Sequence, residues 1–254
     1  MYSSPGESGG AGRVPVDRVA TLDRLRERMA AVPSRIGTAG TTRTVADQVI
    51  AVPGPIGELL PGGGLPRGRV VGCPRGALVC ALLAAATDAG LHAAVLGGLR
   101  ASRINMGAAA EMGADIGRIA LVDAGDRAAE VVGVLADGIP VIILDDPSVR
   151  LRPQQEEALR GRLRDKETVL ITTNELGVRQ PYLDIEATHI ADHGLGQGRG
   201  RLSGFDVDVR VSRQGRLFRR GRVSLVGHPG AGTQWRHPKP VSQHGTGPGL
   251  AITG

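Results

Sequence analysis

Five short aliphatic runs, each apolar almost from end to end and separated by segments long enough to hold helices, constrain this chain more than any other feature. They are RVVGC (69–73), AAVLG (93–97), IALV (119–122), PVIILD (140–145) and ETVLITT (167–173). A strand with one wet face alternates apolar and polar residues, so a strand that is apolar throughout is covered on both sides. Between the runs lie helical stretches such as ALVCALLAAATDAG, ended by Gly90, and RAAEVVGVLADG, ended by Gly138. This alternation predicts an α/β fold, with a mostly parallel sheet and helices on both faces. With aromatics at only 2%, the core is built from Val, Ile, Leu and Ala. The pattern then changes. FDVDVRVS and RLFRRGRVSLV flank Arg213-Gln214-Gly215 and predict an antiparallel hairpin appended at the C-terminal side.

The core so defined spans residues 51–227. Ahead of it, residues 1–50 hold a Gly/Ser-rich leader, a helix and a polar linker. The helix is expected over 16–32, with Val19, Leu22, Leu25 and Met29 on one apolar stripe and Pro33 ending it. That stripe needs a surface to cover it, and self-association on a neighbouring copy is the expectation. Residues 228–254 are rich in Gly, Pro, His and Gln and are expected to form a flexible interaction tail. Trp235 and Arg236 are its candidate partner-binding residues, the alternative being that Trp235 packs back on the core. No run of eighteen apolar residues and no apolar signal core occurs, so a cytoplasmic protein with no membrane partner is expected. Two cysteines make no disulfide framework.

The segment VPGPIGELLPGGGLPRGRVVGCPRG (52–76) carries the main functional signal. A Gly-rich loop after a strand holds phosphates through successive backbone N–H groups, a lysine on the terminal phosphates and a Ser/Thr hydroxyl on magnesium. Here the loop reads Gly72-Cys73-Pro74-Arg75-Gly76-Ala77-Leu78, with Ala77 and Leu78 at the lysine and hydroxyl positions. The only lysines lie at 166 and 239, and Pro74 removes one N–H. Arg75 remains a candidate phosphate ligand. Asp145, at the end of VIIL, is either a magnesium-linked acid or a capping carboxylate. No catalytic residue and no cofactor is expected.

The run Gly63-Gly64-Leu65-Pro66-Arg67-Gly68-Arg69 resembles the entry to the RecA ATPase core. By that resemblance, an acid should end the strand after the loop helix, and Val95-Leu96-Gly97-Gly98-Leu99 has none. Glu175 stands at the nucleotide-sensing glutamine. The two DNA-gripping loops match the short segments 147–153 and 176–182. Together these losses resemble the mycobacterial-type ImuA-prime family, which is similar to RecA and to the cell-division inhibitor SulA. The resemblance implies a non-catalytic adaptor in SOS-induced translesion synthesis and mutagenesis, working with an ImuB-like protein and a damage-tolerant C-family polymerase. Alternatives are an atypical ATP-dependent, recombinase-like protein and a SulA-like inhibitor.

Two further features carry alternative readings. Eight arginines and two aspartates between 199 and 222 give a local balance of +6, equal to the net charge of the chain. Arg210, Arg213, Arg216, Arg219, Arg220 and Arg222 are either a basic face for DNA phosphates or an acidic partner, or surface arginine of a GC-rich genome. Any DNA binding there is expected to be sequence-independent. His189 and His193 in HIADH have helical metal-ligand spacing, but with no third ligand they read as solvated side chains, and no metal is expected.

Overall fold

The computed structural model describes residues 48–97, 104–146, 149–173, 180–196, 199–228 and 232–238. The helix expected over 16–32, with Leu22, Leu25 and Met29, lies outside them, as does Glu175. Strands β1 (Val49–Ala51) and β2 (Gly64–Pro66) pair antiparallel around α1 (Gly54–Leu59). The chain then alternates β3 (Val70–Gly72), α2 (Ala77–Asp88), β4 (Ala93–Leu96), α3 (Met106–Glu111), β5 (Ile119–Val122), α4 (Ala128–Leu135), β6 (Val141–Leu144), α5 (Pro153–Lys166) and β7 (Val169–Thr172). Four long or edge strands follow: β8 (Leu183–Gly196), β9 (Arg199–Arg213), β10 (Arg216–His228) and β11 (Gly232–Arg236).

Strands β3 to β11 form one sheet in the order β11-β10-β9-β8-β3-β7-β6-β4-β5. Pairing is parallel from β5 across to β8 and antiparallel from β8 to β11. This is the α/β class expected from the strand–helix alternation, a mostly parallel sheet with an antiparallel C-terminal part, and all five aliphatic runs are strands of the parallel part. Alternate residues serve opposite faces. Val71, Val95, Ile143 and Ile171 join the core formed with α1 and α2, which includes Leu82 and Leu83. Leu96, Ile142, Leu144 and Leu170 are equally buried but stand outside that core. By the alternation they belong to the other face, with Leu135 of α4 and Leu163 of α5. The Thr168 hydroxyl ties that layer together by donating to the carbonyls of Ala136 (3.0 Å) and Ile139 (3.2 Å).

The hairpin is present and turns on two residues, Gln214 (φ 50°) and Gly215 (φ 76°). Positive φ at both places suits the right-handed twist of the flanking strands. Two expectations need correction. His189 and His193 lie on strand β8, so their spacing places no pair of imidazoles on a helix face. His189 sits 2.9 Å from Asp192 and His193 3.0 Å from Asp206. The segment 228–254 is not a flexible tail throughout. Gly232–Arg236 adds a strand to the sheet edge, where Trp235 pairs with Leu225 and meets Phe205 edge-on at 6.4 Å. A half-buried Trp on an apolar sheet face gains enough contact to order a short strand that propensity alone leaves unstructured.

Candidate nucleotide-type site

Strand β3 delivers the loop Cys73–Gly76 to the carboxyl end of the parallel strands, where ligands of open α/β sheets bind. Gly72 is closely approached there: a Cβ would stand 2.3 Å from Asp184 Oδ1 and 3.2 Å from Pro181 Cγ, so the Asp184 carboxylate would have to move aside. Gly76 begins α2 with φ 120°. Three residues separate these glycines, one fewer than in a phosphate-binding loop. The short loop lets Arg75 turn back over the sheet. Its Nε donates to Asp145 Oδ1 at 2.5 Å, and the Thr173 hydroxyl donates to the same oxygen at 2.5 Å. Asp145 has no solvent exposure, whereas the Arg75 side chain is 29% exposed. The Asp145 N–H donates to the Leu96 carbonyl at 2.8 Å, locking the residue between β4 and β6.

Buried carboxylates need a compensating cation. In a magnesium–nucleotide site the metal supplies much of it; here Arg75 does. One Arg75 terminal nitrogen, Nη2, is buried with no hydrogen-bond partner among the described residues. Leu78, at the hydroxyl position, is a buried core residue. With no lysine in the loop, a leucine turned into the core and the arginine paired to the acid, these residues do not fit a magnesium–ATP complex. The neighbouring thiols add no reactivity. Burial, followed by the Asp184 charge and Cys80, pushes the Cys73 thiol far above its ordinary range, and burial also raises Cys80. Gly72, Arg75, Gly76, Ala77, Leu78 and Asp145 are thus brought to one sheet end. Asp184 and Thr173, which sequence reasoning missed, complete it. Neither carries a local signal, since each arrives from a different strand end.

The hairpin arginines do not form one free basic face. Arg220 (2.8 Å) and Arg222 (3.2 Å) converge on Asp208, whose carboxyl they hold below the usual carboxylate range. Arg219 donates to the Glu58 carbonyl. Arg210 lies opposite Arg220 and beside Glu186. Arg213 and Arg216 face each other across the turn. Trp235 is packed against the core rather than projecting as an anchor, while Arg236 is exposed. Among the described residues, no group of three or more His, Cys, Asp or Glu is placed to hold a metal, and no helix is long and apolar enough to cross a membrane.

Residues 58–177, from the end of α1 past β7, match the family model described as the MT3502 N-terminal domain. That span contains the loop, Asp145 and Thr173 but not Asp184 or the hairpin. No curated protein matches the chain. Among solved structures, the chain is similar to the KaiC-like protein PH0186 from the hyperthermophilic archaeon Pyrococcus horikoshii OT3, at 14% identity and a TM-score of 0.47. The match covers 74% of this chain and 98% of that one.

Proposed function

We propose that this chain is a non-catalytic, RecA-like adaptor in SOS-induced translesion DNA synthesis, acting as a docking piece and not as a motor. An ImuB-like protein and a damage-tolerant C-family polymerase are the partners that the sequence resemblance implies. The observation that carries the non-catalytic part is the Arg75–Asp145 pair. A carboxylate compensated from within the chain has no charge left over to recruit magnesium, and its guanidinium is withdrawn from any incoming phosphate. Loss of the lysine and hydroxyl from the same loop supports the same reading, because with Arg75 paired to Asp145 no side chain of the loop 72–78 is left to hold a terminal phosphate in line for attack. Direct grip on DNA by the hairpin is secondary here, since Arg219, Arg220 and Arg222 are already engaged.

Phosphate release is the first test, measured with magnesium and single-stranded DNA. Turnover equal to a buffer blank is expected, and DNA-stimulated hydrolysis abolished by Asp145→Asn overturns the proposal. Co-purification with the ImuB-like protein tests the adaptor role. It should survive Asp145→Asn, because docking does not depend on the site's chemistry.

A further inference from the structure

At the opposite, amino end of the parallel strands lies a concavity of about 280 Å³. Arg69 and Gly68 before β3, the outer turns of α5, Pro181-Tyr182 before β8 and Gln214 of the hairpin turn line it. One strand length, about 10 Å for the three residues of β3, separates it from the Asp145 site. Arg69 and Arg213 both stack on the Tyr182 ring, with Cζ 4.8 Å and 5.0 Å from its centroid. Arg164 reaches the cleft from α5, whose backbone packs so closely on Gly68 that a Cβ there would stand 3.0 Å from the Arg164 Cα. Arg160 is held at the rim by Glu156 (2.7 Å) and by the Gln180 carbonyl.

The charge balance of this cleft differs from that of the loop site. Among the described residues, no carboxylate lies within ion-pair range of Arg69, Arg164 or Arg213, while Glu156 neutralises Arg160. Two lining guanidiniums, Arg69 and Arg164, stand against the one lining carboxylate, Glu157, a balance of +1 (two minus one), and Arg213 on the Tyr182 ring adds a further positive charge beside the cleft. Stacking on tyrosine orients a guanidinium without neutralising it, so Arg69 and Arg213 are positioned in advance and keep their N–H forks for an anion. A single guanidinium satisfies a planar carboxylate. More than one in the same cleft suits a tetrahedral group with three oxygens and close to two negative charges.

From this we infer that the cleft lined by Arg69, Arg164 and Tyr182, with Arg213 stacked on the same ring, is a binding site for a dianionic phosphate group. The site is independent of the adaptor reading. A cleft of about 280 Å³ admits a terminal phosphate, either free or at the 5′ end of a nucleic-acid strand.

Calorimetry with inorganic phosphate, and anisotropy with 5′-phosphorylated and 5′-hydroxyl oligothymidine, test this on the full chain. Phosphate should bind at one site per chain. Arg69→Ala combined with Arg164→Ala should weaken it by at least about tenfold, and Arg75→Ala should leave it unchanged. If the double variant does not fold, Arg164→Glu, on an exposed helix position, replaces it, with circular dichroism as the control. Tighter binding of the 5′-phosphorylated strand, competed by phosphate, identifies a strand end as the source. A calorimetric site with no difference between the two strands identifies a free phosphate. Three outcomes overturn the inference: no phosphate binding, loss of binding on Arg75→Ala instead, or binding of polyglutamate without phosphate, which assigns the cleft to an acidic protein.

Discussion

Replacing Arg75 with Ala removes the guanidinium from a carboxylate that has no contact with solvent, and the resulting loss of stability measures how far the loop depends on its own cation. Breaking a buried pair from one side costs about 3–5 kcal/mol, because the remaining charge stays buried. Arg75 is itself 29% exposed, and water reaching its side screens the pair, so the low end applies: about 3 kcal/mol. For a chain of this size that corresponds to a thermal midpoint lowered by about 6–12 °C. Asp145→Asn should cost less, about 1–2 kcal/mol, since the amide keeps the shape and Arg75 can turn to water. The two effects must also be coupled. Added to Asp145→Asn, the Arg75→Ala change should cost under about 1 kcal/mol, because the charge it compensates has gone. Urea unfolding followed by circular dichroism at neutral pH measures all four corners of the cycle. Magnesium supplies a second check. It should restore part of the stability of Arg75→Ala, about 1.4 kcal/mol at ten times its Kd, and leave the wild type unmoved. Strictly additive costs, or equal costs for the two single changes, refute the claim that Arg75 stands in for a metal.

Other expectations follow from the same geometry. Cys73 and Cys80 should both be silent to a thiol reagent in the folded chain at pH 8 and react fully in denaturant; fast labelling of either contradicts their burial. Asp137, held low by the Arg162 hydrogen bond, and Asp208, held low by Arg220 and Arg222, stabilise the fold fully above the ordinary carboxylate pKa of about 3.9. That contribution disappears as pH falls through their depressed values, so the acid limb of a urea-midpoint profile should flatten in an Asp137→Asn, Asp208→Asn double variant. Trp235→Ala should cost about 2 kcal/mol in thermal unfolding; an unchanged midpoint would show that Trp235 is not part of the sheet.

The parallel sheet was legible because its signal is local. Runs such as VIIL over 141–144 are apolar at every position, and the structure buries all four residues. Gln214-Gly215 between two alternating runs likewise fixed the hairpin register. Strand β8 was missed, although Leu183-Asp184-Ile185-Glu186-Ala187-Thr188 alternates with period two. The HIADH spacing that follows also fits a helix, whereas the alternation is what pairs Ile185 with Val211 and Ala187 with Val209. Trp235 was read by composition in a polar segment, whereas its position is set by Phe205, thirty residues earlier and visible only in three dimensions. The loop site shows the same limit. Missing lysine and hydroxyl groups can be read from residues 72–78 alone, but the destination of Arg75 depends on strand order, which brings residue 145 beside residue 75.

Arginine serves both ends of this sheet, and its partners decide what each end can do. At the carboxyl end, Arg75 is paired to a buried acid, so an external anion would have to compete with a carboxylate already in place. At the amino end, Arg69 and Arg213 rest on an aromatic ring that fixes their planes and leaves their charge uncompensated. A lysine could not be held in this way: its ammonium is a compact, hydrated charge on a flexible stem, whereas a guanidinium can stack and still present a planar fork. The arginine-rich, lysine-poor composition therefore has different consequences at the two ends. It closes the loop where a RecA-like protein would bind nucleotide, and it builds an anion-accepting cleft on the side that no nucleotide motif marks.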